Sequence, residues 1–241
     1  MEINILHLYY DLLNLYGENG NIKALKNHLE EQNIKVNIEF LTLNDNIDFK
    51  KYDLVYIGSG TEENILLALK DIMKYKKSIK EYIENNKFFL STGNSIVLFG
   101  KTLKQDNITH KCLNIFDYES KKEPFRMVDQ AVFNMPTIKS KIIGFQNQSY
   151  TTKNIKNPLF TVIRGIGSYP NSEEEGIYYK NFFGSYLIGP LLVRNPNLLS
   201  FFIKELIISK DKNFKFNKMN LYFENKAYNT FLDYLRSLED K

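Results

Sequence analysis

Residues 54–60 read Leu54-Val55-Tyr56-Ile57-Gly58-Ser59-Gly60, four apolar residues closed by two glycines around a serine. The run predicts a short buried strand ending in a tight loop. Ile65, Leu66, Leu69, Ile72 and Met73 follow at helical spacing, and Ile79 to Ile83 carry a further helix. The pattern then repeats. Phe88-Phe89-Leu90 is another apolar run that passes directly into Thr92-Gly93-Asn94-Ser95, with a helical turn opening over Ile96 to Phe99.

Upstream the same alternation holds. Ile3 to Tyr10 reads as a buried strand, and Asn14 to Gly20 as a turn-rich segment. A helix begins near Asn21 with Ile22, Leu25 and Leu29 on one face, and a second strand spans Lys35 to Leu43. Strands alternating with helices of this length predict right-handed βαβ units and a mostly parallel sheet covered on both faces. Ligands of such sheets bind beyond the carboxyl ends of the strands, which singles out Gly58-Ser59-Gly60 and Thr92 to Ser95.

The second half reads as strand-rich: Leu113 to Tyr118, Phe125 to Phe133, Lys141 to Phe145, Leu159 to Ile163 and Gly176 to Tyr179. A helix follows over Asn197 to Ser209. The tail places Ala227, Phe231, Tyr234, Leu235 and Leu238 on one predicted helical face. Neither an internal repeat nor a linker interrupts the chain, so the expectation is one α/β domain, residues 1–241, with an embedded antiparallel section.

Composition narrows the chemistry. The chain has 241 residues, 43% hydrophobic and 25% charged, with one cysteine and three histidines. A chain this long buries roughly 70% of its unfolded surface and holds a core without disulfides or structural metal. Cys112 alone excludes a disulfide framework and CxxC zinc sites, and His7, His28 and His110 form no H-E-x-x-H pattern. No metal or cofactor is expected.

The net charge is +4, but only Arg126, Arg164, Arg194 and Arg236 among 32 basic residues are arginine. The lysine runs 74–77 and 210–218 are broken by acids or aromatics, so no nucleic-acid partner is expected. A basic start followed by an apolar stretch is absent, as is any apolar run of about 18 residues. A cytoplasmic protein with no membrane partner is the expectation.

Three segments carry a family resemblance. Leu13-Asn14-Leu15-Tyr16-Gly17-Glu18-Asn19-Gly20-Asn21-Ile22-Lys23-Ala24-Leu25 resembles L-N-L-Y-G/S-x-x-G-N-I-x-x-L, and Asp53 to Gly60 resembles D-[IL]-[VF]-x-I-G-G-G. Glu175 to Asn181 and Gly184 to Leu192 together resemble E-G-x-x-Y-x-N-x-x-G-T-Y-x-H-G-P-x-L. In this order and spacing they span almost the whole chain. They resemble the class I (triad-type) glutamine amidotransferases of the CobB/CobQ branch, most closely the small stand-alone glutaminase subunits of lipid II isoglutaminyl synthases. The resemblance implies a three-layer, flavodoxin-like fold. It also implies a glutaminase that makes ammonia for a Mur-ligase-like or cobyric-acid-synthase-like partner.

That chemistry needs a cysteine nucleophile on a strand-to-helix turn, a histidine base, and backbone N–H groups of a glycine loop for the oxyanion. Against the elbow C-G-G-[YF]-Q-x-L-G, residues 93–100 place Gly93 at the nucleophile. Ile188 stands at the histidine of Y-x-H-G-P, and Gln148 at the histidine of G-F-E-N-H. The expectation is a degenerate site in a binding, scaffolding or regulatory subunit.

Two alternatives stand beside it. Thr92 or Ser95 would serve as a substitute nucleophile in an active amidotransferase if a base lay within reach. Alternatively, Gly58, Ser59, Gly60, Asn94 and Gln148 would retain a pocket for glutamine or a carboxylate. The plain reading of these glycines is that the turns require them, as for Gly17 to Gly20. His7 is expected within the first strand, His28 on the exposed side of the first helix, and His110 in a polar loop. Phe182-Phe183 and Tyr178-Tyr179 are candidates for an interface or for the core.

Overall fold

The first half alternates as its apolar spacing requires: β1 (Glu2–Leu8), α1 (Asn19–Glu30), β2 (Lys35–Leu41), β3 (Leu54–Ile57), α2 (Glu62–Ile72), α3 (Lys76–Glu84) and β4 (Phe88–Thr92). The structure, a computed structural model, describes residues 1–238. The strand-rich section follows with β5 (Thr102–Gln105), β6 (Ile108–Lys111), β7 (Glu119–Met135), β8 (Ser140–Lys153), β9 (Phe160–Arg164) and β10 (Glu174–Glu175). Then come β11 (Ile177–Tyr179), β12 (Phe182–Ser185), α4 (Leu191–Arg194), α5 (Pro196–Lys210) and α6 (Tyr222–Ser237).

One sheet runs in the order β11-β12-β4-β3-β1-β2, parallel throughout except for β11 against β12. The parallel part is the flavodoxin-like order, in which the first crossovers reverse at β1 and open a crevice beyond the strand ends. β3 and β4 are buried along their whole length, as strands covered on both faces must be. On one face Val55, Ile57 and Phe89 meet Ile65, Leu69 and Ile79 of α2 and α3. On the other, Ile5, Leu54 and Leu90 meet Ile22 and Leu25 of α1 and Phe202 of α5. The three layers expected from the resemblance are present.

A second sheet, in the order β10-β9-β7-β5-β6 with β8 paired to β7, is antiparallel except between β5 and β7. It is joined to the first body through Asn195. Its carboxamide accepts from the Ile143 N–H at 2.8 Å and donates to the carbonyls of Ile143 and Leu191 at 2.8 Å each. Among the described residues no helix is long and apolar enough to cross a membrane.

Several local expectations are corrected. Leu113 to Tyr118 is not a strand. Its backbone N–H groups at Leu113, Asn114 and Ile115 donate to Leu98, Gly100 and Phe99, so the segment wraps the end of the elbow instead of joining a ladder. Asp106-Asn107, with φ of +50° and +64°, is a two-residue hairpin turn between β5 and β6, which puts His110 on a strand. His28 is buried, with Nδ1 at 2.9 Å from Glu31 and Nε2 at 3.7 Å from Glu224 of α6. The tail helix presents Leu232 and Leu235, with Tyr228 and Phe231, to Val132 and Ile143, while Ala227, Tyr234 and Leu238 are exposed. Helix packing, not apolar content alone, selects that face.

Candidate functional site

Beyond the end of β4 the chain turns at Gly93, whose φ is +65°, into a buried 3-10 segment over Gly93–Phe99. The strand-to-helix elbow is therefore formed, with a backbone conformation that glycine adopts without strain. What is missing is room. A Cβ on Gly93 would lie 2.4 Å from the Ser59 Cβ, 2.5 Å from the Ser59 Oγ and 2.9 Å from the Ile188 Cγ2. Ile188 is held there by backbone: its N–H donates to the Phe145 carbonyl at 2.9 Å, and the Gly93 N–H donates to the Leu187 carbonyl at 3.2 Å. Gly93 and Ile188, the positions at which the resemblance expects nucleophile and base, form one filled volume with Ser59.

The glycine loop is also occupied. The Gly60 N–H and the Ser59 hydroxyl each donate to the Asn94 Oδ1 at 3.0 Å, and the Asn94 Nδ2 donates to the Gly60 carbonyl at 2.6 Å. The loop N–H expected from the resemblance to face an oxyanion is satisfied within the chain. Gly58 and Gly60 are glycine for space. A Cβ on Gly58 would lie 2.4 Å from the Leu13 carbonyl oxygen, and one on Gly60 2.4 Å from the Leu13 Cδ2.

A family model described as a CobB/CobQ-like glutamine amidotransferase domain matches residues 4–196. The chain belongs to this family. It is 30% identical over 233 residues to the lipid II isoglutaminyl synthase (glutamine-hydrolyzing) subunit GatD of Staphylococcus aureus, covering 96% of each chain. The subunit of the same name from Streptococcus pneumoniae is 31% identical over 201 residues, 82% of this chain and 77% of that one. A solved glutamine amidotransferase superposes with a TM-score of 0.54 over 83% of this chain at 10% identity, which is agreement of fold.

In this amidotransferase chain the two candidate hydroxyls have different surroundings. The Thr92 Oγ1 donates to the Glu18 Oε2 at 2.6 Å and lies 2.8 Å from the Tyr56 hydroxyl, which also donates to Glu18. Asn21 closes the network, donating to the Tyr56 oxygen at 2.9 Å and accepting from the Leu192 N–H at 2.8 Å. Burial raises the Glu18 carboxyl above the ordinary carboxylate range, against the lowering by the Thr92 and Tyr56 hydroxyls. Ser95 has no base. Its hydroxyl meets the Ser91 hydroxyl at 2.8 Å and the Thr92 carbonyl at 3.0 Å.

Gln148 is not brought to the loop. Its carboxamide donates to the carbonyls of Tyr150 and Gly167 at 3.2 and 3.3 Å and accepts from Gln146 at 3.1 Å. Together the two glutamines pin the turn at Gly167. Cys112 is buried, its N–H donating to the Lys101 carbonyl at 3.0 Å, and burial pushes its thiol up to about 12. His7 is fully buried between Phe40 and Tyr56, with ring centroids at 5.8 and 5.0 Å. Phe182 and Phe183 are core residues, with Phe182 packed on Phe99 and Phe183 on Phe202.

Sequence reading named Ser59 as a pocket residue but passed over Glu18 and Tyr56. Ser59 is the middle residue of a loop whose family pattern is G-G-G, and the structure sets it against the Gly93 position rather than in an open pocket. Glu18 and Tyr56 carried no signal. One stands at a variable position of the opening motif and the other inside an apolar strand, and only folding sets both beside Thr92.

Proposed function

We propose that the chain is a catalytically degenerate glutamine amidotransferase that serves a Mur-ligase-like synthetase as a binding, scaffolding or regulatory subunit. The observation that carries this reading is the filled volume at Gly93, where Ser59 and Ile188 leave no place for a nucleophilic side chain. The loss of the thiol is matched by packing, so the site is a settled part of the core. The relatives named as subunits of lipid II isoglutaminyl synthase support an amidating synthetase as partner. The test is ammonia release from glutamine by the purified chain, alone and co-expressed with a Mur-ligase-like protein from the same genome. The expected result is a stable complex with no release above buffer. Release at an ordinary enzymatic rate, of about 1 per second or more, overturns the reading.

A second reading, an amidotransferase with altered chemistry, rests on the 2.6 Å contact between Thr92 and Glu18, a nucleophile–base separation. Both residues are fully buried, so a substrate would need the elbow to open. Labelling by an electrophilic glutamine analogue decides between the two. An adduct on Thr92 favours altered chemistry, and an unlabelled segment 91–95 favours degeneracy.

A further inference from the structure

We propose that Asn94 is a resident plug. Its side-chain carboxamide fills a receptor for a primary amide that Ser59 and Gly60 form, and removing it opens a site for small primary carboxamides. The inference deepens the degenerate-site reading and rests on it.

A primary amide carries an acceptor and a donor in one plane, and the loop answers both. The Gly60 N–H and Ser59 hydroxyl converge on Oδ1 at 3.0 Å each, while the Gly60 carbonyl takes the Nδ2 proton at 2.6 Å. The Asn94 backbone N–H faces the Ser59 Oγ at 3.4 Å. A carboxylate in the same place would set an oxygen lone pair against the Gly60 carbonyl and leave that acceptor without a donor. The loop therefore discriminates by hydrogen-bond polarity and not by size. Ser59 and Asn94 are 3% and 9% exposed, so water does not readily replace the lost partners. An emptied receptor holds three polar groups whose partners fit one chemical class. Acetamide reproduces the deleted atoms, its methyl carbon standing for the Asn94 Cβ.

The experiment compares thermal melts of wild type, Asn94→Gly and Asn94→Asp in the full chain. Asn94→Gly is expected to melt about 5–10 °C below wild type. Acetamide at tens of millimolar is expected to raise its midpoint saturably, as binding to the folded state requires, while acetate at the same concentration does not. Wild type is expected to respond to neither, because its receptor is full. Equal rescue by acetamide and acetate, no rescue by either, or an equal response of wild type to acetamide overturns the proposal.

Asn94→Asp keeps the shape and supplies a second readout should the glycine variant fail to fold. It is expected to be less stable than wild type at pH 8 and to approach it as acid returns a proton for the Gly60 carbonyl. Stability equal to wild type at pH 8 overturns the proposal. These melts report the occupancy of the loop, whereas ammonia release by wild type reports catalysis, so the two readings fail separately.

Discussion

Gly93 and Ser59 share the space of a single side chain: the place of a Cβ on Gly93 lies 2.4 Å from the Ser59 Cβ. The contact couples the glycine loop after β3 to the elbow after β4. A cysteine returned to position 93 alone therefore meets two costs, overpacking against Ser59 and Ile188 and a left-handed φ. Gly93→Cys is expected to destabilise the chain by about 2–4 kcal/mol. Gly93→Cys with Ser59→Gly is expected to recover part of that loss. Urea unfolding of the single and double variants measures the coupling, and simple additivity would show that the two sites are independent.

Tyr56→Phe removes the hydroxyl that donates to Glu18 and accepts from Asn21. Two buried polar groups lose a partner, so a loss of about 1–3 kcal/mol is expected. An unchanged midpoint of denaturation would mean that the cluster beneath the elbow contributes nothing to stability.

Glu175 is fully buried, accepting from the Ser185 hydroxyl at 2.8 Å and the Tyr186 N–H at 2.6 Å, and burial pushes its carboxyl up to about 7. A folded value above the unfolded one means that the native state binds the extra proton. The contribution is complete below the unfolded value of 4.5 and is lost as pH rises through 7. Stability from this group is expected to fall by about 3 kcal/mol between pH 4.5 and 8. Glu175→Gln should remove that slope in unfolding curves taken across the range.

His7 acts in the opposite sense. Burial lowers its imidazole to about 4, and neither ring nitrogen has a hydrogen-bond partner among the described residues. Its contribution is complete above the unfolded value of 6.5 and falls as pH drops toward 4. His7→Phe is expected to raise stability at pH 7 by about 1–2 kcal/mol and to remove the acid loss. The His7 and Glu175 slopes oppose one another between about pH 4.5 and 6.5, so each is read as the difference between wild type and its own variant.

The tail helix gives a contrast of faces. Leu235 is 1% exposed and Tyr234 is 50% exposed. Leu235→Ala is expected to cost about 2–4 kcal/mol, and Tyr234→Ala to stay within about 0.5 kcal/mol of wild type. Equal effects on the melting midpoint would refute the packing of this helix against Val132 and Ile143.

The βαβ order, the buried strands and the elbow were legible because apolar periodicity and glycine placement are local properties. Leu54 to Ile57 announces a strand whatever surrounds it. Gly93 and Ile188, at the positions where the family pattern has cysteine and histidine, were also written in the chain. The segment Leu113 to Tyr118 misled, since its apolar residues serve a wrapping loop whose hydrogen-bond partners, Leu98 to Gly100, lie on another element. His28 misled for a similar reason: α6 covers it from almost two hundred residues away.

The sequence by itself determined the family, the flavodoxin-like order of the sheet and the absence of a cysteine from the elbow. Only the tertiary structure decided what stands in that absence. Whether a glycine at the elbow leaves an open pocket or a packed core depends on which groups converge from distant strands. Here Ser59, Ile188 and the Asn94 carboxamide close it. Packing is a property of volume shared among residues that sequence keeps apart.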